Sequence, residues 1–198
     1  MTPLIAKLLH GLCMVAWWVI RRPFERKSKR NVLMRDAMDV REKALLAISL
    51  TGLGVIPAAY IVSGFPATLD QPFSPLRAAL GLAIFVAALA LFYATHKALG
   101  RNWSVTLAVR EEHSLITEGV YRFVRHPMYS AFWMWAIAQA LTLQNWVAGP
   151  AGIIGFGTLY LFRVGREEAL MRETFGAQWD EYALRTPRVV PFARRAQG

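Results

Sequence analysis

Cysteine is almost missing from this chain: Cys13 stands alone among 198 residues. An intramolecular disulfide is excluded, and with no companion ligands nearby the thiol reads as a packed side chain. Histidine is nearly as scarce. His10, His96, His113 and His126 are scattered without metal-ligand spacing, so no metal is expected. Acidic residues are few, 13 against 23 lysines and arginines, and only 18% of the residues are charged. There is no internal repeat. No small-residue cleavage site follows the first apolar run, where Arg21-Arg22 comes at once, so that run reads as a spanning helix rather than a removed signal segment.

Apolar side chains dominate instead. With 55% hydrophobic residues and a mean hydropathy of +0.31, the chain is too apolar for an ordinary soluble domain. It is expected to be an all-α integral membrane protein. Five apolar segments, about 4–20, 44–62, 76–95, 127–143 and 146–162, approach the roughly 17–25 residues that cross a bilayer. Pro57 should kink the second. The last two form a helical hairpin, with Gly149, Gly152, Gly155 and Gly157 allowing close helix contact.

The charges fall between these segments unevenly. Nine basic residues lie in 21–43, none in 63–75, five in 96–126 and seven after 162. Positive-inside counting then places the N-terminus outside and the two polar loops and the tail in the cytoplasm; a plasma (inner) membrane location is expected. The net charge of +10 would suit nucleic acid in a soluble protein. In a membrane protein it reflects loops that face anionic lipid, so anionic lipids rather than nucleic acid are the expected partners. The basic run 21–43 reads as a solvated, lipid-facing helix.

Two clusters carry chemistry. The first is Gly119-Val-Tyr-Arg-Phe-Val-Arg-His-Pro-Met-Tyr-Ser, which sets Tyr121, Arg122, Arg125, His126 and Tyr129 against a long apolar helix. Ionisable groups at the mouth of a span are costly to hold and usually functional. Pro127 suits the first helical turn, so Arg125 and His126 sit at a helix N-terminus that favours an anion. The plainer reading is an interfacial anchor. The second cluster begins at Arg163, with Val164, Leu170, Met171 and Phe175 as an apolar stripe and Gly176 as the helix stop. Glu167 and Glu168 are consecutive and point about 100° apart on a helix, so one can face inward and the other solvent. The plainer reading pairs Arg163 with Glu167 and Glu168 with Arg172 at i,i+4. Trp179 and Tyr182 share a face of a second short helix that Pro187 ends, and Arg185 and Arg188 are able to clamp a carboxylate or phosphate.

Together, His113-Ser-Leu-Ile-Thr-Glu-Gly-Val-Tyr-Arg-Phe-Val-Arg-His-Pro-Met-Tyr and the later Glu167-Glu168, Phe175-Gly176, Tyr182 and Arg185-Thr-Pro-Arg resemble the isoprenylcysteine carboxyl methyltransferase family. They are also similar to membrane phospholipid N-methyltransferases. The resemblance spans roughly 95–192. It implies a single membrane domain over 1–198, in which 1–95 supplies three spans and 96–198 a methyltransferase-like core. It further implies S-adenosylmethionine as methyl donor, in a cytoplasmic pocket roofed by the C-terminal segment.

In that reading the cofactor lies against His113, Leu115, Gly119 and Tyr121. Arg125, His126, Pro127 and Tyr129 lie near its methionine end, and Glu167 or Glu168 holds its amino group. Such a donor carries a sulfonium, an ammonium and a carboxylate, so it needs carboxylates, cations and aromatic faces. The acceptor is lipophilic and enters sideways between helices, with Trp133 or Trp135 as candidates for lining the gap. An isoprenylcysteine carboxylate, a phospholipid amine and a small hydrophobic thiol or acid all fit. An anionic nucleophile needs only a counter-charge, Arg185 or Arg188; an amine needs a base, His126 or a glutamate. The competing readings are an NADPH-dependent sterol or enone reductase with a related Arg-His-Pro segment, and a non-enzymatic scaffold. Neither motif speaks to oligomeric state.

Overall fold

The structure is a computed structural model that describes residues 1–28, 33–36, 39–100, 108–110 and 115–191. Six helices build it: α1 (Pro3–Ser28), α2 (Val40–Ser63), α3 (Pro75–Leu99), α4 (Pro127–Thr142), α5 (Ala151–Phe175) and α6 (Ala177–Arg185). Three are long and apolar enough to cross a membrane: Pro3–Arg26, Val40–Ser63 and Pro75–Leu99. α4, with 16 residues, is shorter than the other candidates, and α5 carries charges along its second half.

Several expectations are corrected. The first helix runs on to Ser28, past the expected end, with Pro23 inside it and Arg22 stacked 3.7 Å over Trp18. The basic run is not one helix. Beyond Ser28 it contains β1 (Leu33–Asp36), which pairs antiparallel with β2 (Ala108–Arg110), so the expected helical fold carries one small ribbon among the described residues. The fifth apolar helix starts at Ala151, not 146. Residues 143–150 are spent on a connection whose hub is Asn145. Its amide donates to Asp70 (2.7 Å) and to the Pro66 carbonyl (2.9 Å), and its oxygen accepts from the amides of Val147 and Ala148.

Just before Pro57, where a kink is expected, the helix departs from α geometry. Residues Thr51–Val55 make a π turn within α2, and the Ile56 amide bonds back to the Thr51 carbonyl. In that register the next donor, for the Gly52 carbonyl, would be residue 57, and proline has no N–H. Gln139 of α4 supplies the missing donor: its Nε2 reaches the Gly52 carbonyl at 3.0 Å and the Ala148 carbonyl at 2.7 Å. Gln139 is fully buried, and an unpaired carbonyl there would cost about 1–3 kcal/mol. The glycines expected to serve the α4–α5 hairpin also serve α2. A side chain at Gly155 would meet the Ile48 carbonyl at 2.8 Å and the Gly52 Cα at 3.0 Å.

The core is aromatic where α1, α3, α4 and α5 meet. Phe85, Trp135 and Phe156 are buried there, with Trp17 and Phe132 packed against them. Trp17 and Trp135 lie 5.1 Å apart, as do Phe85 and Trp135. A second cluster, Trp179, Tyr182 and Ala183, seats α6 against Leu115, Met171 and Phe175.

Candidate active site

The site grows from the start of α4. Pro127 occupies the first helical turn, as expected, with His126 as the cap residue. The backbone before it is not open to a ligand: the amides of Arg125 and His126 donate to the carbonyls of Pro187 (2.8 Å) and Arg188 (2.9 Å). Ser130 Oγ adds a bond to the Val189 carbonyl at 2.6 Å. The segment after α6 is thus stitched along the His-Pro turn.

Arg125 is buried and fully engaged. Its Nη1 donates to the carbonyls of Ala183 and Thr186, and its Nη2 and Nε donate to Glu168 at 2.8 and 3.3 Å. Glu168 also accepts from Arg188 (2.7 and 3.0 Å to its two oxygens) and from His126 Nε2 at 3.1 Å. A carboxylate only accepts, so this His126 nitrogen carries a proton. Burial opposes ionisation of Glu168, but the bonds from His126, Arg188 and Arg125 outweigh it and hold the carboxyl well below the usual carboxylate range.

A folded value below the unfolded one means stability that is fully present above the ordinary glutamate value of about 4.3 and lost as pH falls toward the depressed value. Attachment of the 186–189 segment is therefore expected to survive to below about pH 4, and Glu168→Gln to remove that acid-dependent step. Trp179 emission followed down a pH titration reads it; an unchanged acid limb in the variant would count against the assignment.

Glu167 turns the other way, as consecutive helical residues must. It lines a cavity of about 630 Å³, accepts from the Tyr129 hydroxyl, and lies 3.8 Å from His126 Nδ1. The His126 ring stacks on Tyr129 at 5.3 Å. Tyr121, Trp179 and Tyr182 add aromatic faces at the same end of the cavity, and the Tyr182 hydroxyl donates to the Tyr121 carbonyl at 2.6 Å. Burial and the neighbouring Glu167 push the Tyr121 phenol well up, so it stays a neutral donor.

The cavity's other arm is apolar and reaches into the helices, past Trp135, Phe132, Leu53 and Leu46. Val15 and Trp18 of α1 and Leu50 of α2 line it while being exposed on the outer surface. The cavity therefore opens sideways between α1 and α2.

The remaining sequence candidates divide. Leu115 lines the cavity, and Gly119, at a φ of 61°, opens the short 3-10 turn that carries Tyr121. His113 lies outside the described residues. Arg188 is engaged by Glu168. Arg185 is not brought into the cluster; it lies on the exposed side of α6, 3.5 Å from Glu181. Trp133 packs on Phe156 (5.3 Å) and Tyr160 (5.7 Å), away from the cavity, while Trp135 lines it. The expected Glu168–Arg172 pair gives way to Arg172–Asp180 at 2.7 Å, because Glu168 points toward α4.

Sequence reading missed Arg163. The plainer reading pairs it with Glu167 at i,i+4, yet it is buried, lines the cavity and faces Glu42 of α2 at 3.2 Å. Its position in the last apolar turn before the glutamates was the available signal.

Fold and site define a helical integral membrane protein with a cavity lined by an ionic cluster and by apolar side chains of the helices. Residues 79–173 match the family model described as the isoprenylcysteine carboxyl methyltransferase (ICMT) family, so the resemblance carried by the two motifs is shown over that stretch. It begins earlier than the motifs suggested and ends before α6.

Over 95 residues the chain is 37% identical to protein-S-isoprenylcysteine O-methyltransferase B of Arabidopsis thaliana, covering 47% of this chain and 48% of that protein. It is 31% identical over 84 residues to the Homo sapiens protein-S-isoprenylcysteine O-methyltransferase, covering 42% of this chain and 30% of that one. The chain thus spans about half the length of the plant relatives it matches, and less of the human one. A solved structure of the eukaryotic intramembrane Ras methyltransferase ICMT shares the fold, with a TM-score of 0.53 and 20% identity over 78% of this chain and 53% of that chain.

Proposed function

We propose that this chain is an S-adenosylmethionine-dependent membrane methyltransferase whose acceptor is a lipophilic molecule of the isoprenylcysteine carboxylate type. The observation that carries the reading is the two-armed cavity: an inward carboxylate, Glu167, with aromatic faces at one end, and an apolar arm open toward lipid at the other. The residues fit the donor. Glu167 suits its ammonium, and Tyr121, Trp179 and Tyr182 supply faces for its sulfonium and adenine.

When bound, S-adenosylmethionine supplies a methyl group on a cationic sulfur, which passes to the acceptor while the electron pair of the broken C–S bond stays on sulfur. The protein's part is to align and to exclude water. Glu167 is held by the Tyr129 hydroxyl, which fixes its direction. Glu168, Arg125 and Arg188 act on the site by fastening the 186–189 segment to α4. An anionic acceptor needs no base here.

The five-span arrangement, with α4 and the first half of α5 as the fourth and fifth crossings, the N-terminus outside and the tail in the cytoplasm, belongs to the same proposal. So do the plasma membrane location and contact of the basic loops with anionic lipid. A reductase holding a dinucleotide fits less well, because a polyphosphate wants uncommitted cations, whereas Arg125 and Arg188 are engaged by Glu168 and Glu167 faces the cavity. Calorimetric titration of the detergent-purified chain tests the reading. S-adenosylmethionine and its demethylated product are expected to bind, His126→Ala to weaken both at least about tenfold, near 1.4 kcal/mol, and NADPH not to bind. Binding of NADPH alone would move the assignment to a reductase.

A further inference from the structure

The first turn of α2 is joined to α5 by two ion pairs of different character. Asp39 caps α2, accepting from the Glu42 amide at 2.7 Å, and pairs with Arg166 at 3.1 Å with both side chains substantially exposed. Three residues on, Glu42 faces Arg163 at 3.2 Å with the carboxylate fully buried. The Glu42 oxygens accept no aligned hydrogen bond among the described residues. Taking two charges out of water to pair them is a poor source of stability unless the geometry is excellent. An exposed pair like Asp39–Arg166 already ties the helices at little cost.

What the buried pair does achieve is placement. Arg163 lines the cavity, one helical turn before Glu167, and shares the field of Glu167, Tyr129 and Glu42. It shares the cavity wall with Glu167 and with Leu46 and Leu53. Arg185, the counter-charge expected from the sequence, is outside the cavity, and Arg188 is engaged by Glu168. Glu42 lies outside the stretch that matches the family, and Arg163 lies within it, so the contact joins the chain's first half to the matched stretch.

We propose that Glu42 is a positioning residue that holds the Arg163 guanidinium in the cavity wall as the counter-charge for the acceptor's acid group. The inference rests on the methyltransferase reading. It assigns α2 two tasks: its Leu46, Leu50 and Leu53 face the acceptor's hydrocarbon, and its Glu42 governs recognition of the acid.

The test compares an acid with its ester. Trp17, Trp18 and Trp135 line the cavity, so their emission reports occupancy without turnover. The full chain in detergent is titrated with an S-prenylated N-acetylcysteine and with its methyl ester, in the absence of donor. The wild type and Arg166→Gln are expected to favour the acid at least about tenfold, the scale of one charge-assisted contact. Glu42→Gln and Arg163→Gln are expected to lose that preference while holding ester affinity within about twofold, and the double variant to match Arg163→Gln alone.

A purely structural bolt would lower both affinities together. Retention of the preference in Glu42→Gln, or single losses that multiply in the double variant, overturns the proposal. If Glu42→Gln fails to fold, the double variant removes both charges at once, and a wild-type preference in it is equally decisive against the proposal. A wild type that binds S-adenosylmethionine but does not distinguish acid from ester sinks this inference alone. A wild type that binds neither donor nor acid removes the methyltransferase reading and this inference with it.

Discussion

Glu168→Ala is expected to lower the unfolding temperature by on the order of 10 °C and to free the C-terminal segment, whereas Glu167→Gln leaves stability near that of the wild type and removes donor binding. The two residues are adjacent, yet their surroundings are opposite. The Glu168 side chain is 13% exposed and the Arg125 side chain it neutralises is 3% exposed. Deleting the carboxylate strands a buried guanidinium, a change worth about 3–5 kcal/mol, and also releases Arg188 and His126. Arg125 would still reach the Ala183 and Thr186 carbonyls, but neutral acceptors do not compensate its charge.

Glu167 has one strong partner, the Tyr129 hydroxyl, and faces the cavity. As glutamine it still accepts from Tyr129, so little stability is lost, but the charge complementary to an ammonium is gone. Thermal unfolding and calorimetry on the two variants separate the roles. Donor binding retained in Glu167→Gln, or a stable Glu168→Ala with its C-terminal segment protected from protease, would reverse the assignment made from the geometry.

Why the sequence left that choice open is a matter of range. Consecutive positions on a helix fix the angle between two side chains but not the rotation of the helix, which is set by what packs against it. Here the carbonyls of Ala183 and Thr186 and the Arg188 side chain fix it, and all lie beyond the helix stop at Gly176. Local signals read well for the same reason: Pro127 at a first turn, Gly176 as a break and Pro187 beyond the end of α6 each act through their own backbone.

The misreadings all involve distant partners. Arg163 looks like half of a surface pair until Glu42, in the other half of the chain, is brought to it. The start of α5 slips to Ala151 because Asn145 and its neighbours are held by Pro66 and Asp70. Arg185 looked like a clamp because arginines near a motif invite that role; the burial of Trp179, Tyr182 and Ala183 turns it outward.

Gly52→Ala is expected to be among the most damaging small substitutions in the molecule. A methyl at this position would run into the Ala151 carbonyl oxygen and sit 3.0 Å from the Gly155 Cα, both backbone atoms of α5 that no side-chain rotation can move. The helices would have to separate, and overpacking of this kind costs about 1–3 kcal/mol before any lost contact is counted. Two further losses follow from separation. The Gln139 bridge to the Gly52 carbonyl lengthens, and residue 57, a proline, offers no replacement donor. At the far end of the same contact Glu42 draws away from Arg163.

The combined effect is therefore expected to exceed the overpacking term alone. It should appear as a drop of several degrees in thermal unfolding, together with loss of acid-over-ester preference in the fluorescence titration. Gly54→Ala, on the same π turn, is the control. Its methyl would meet only the end of the Leu50 side chain at 3.3 Å, which is free to turn aside. Equal losses in the two variants would mean that the π turn itself, rather than the close approach of α2 to α5, is the sensitive feature.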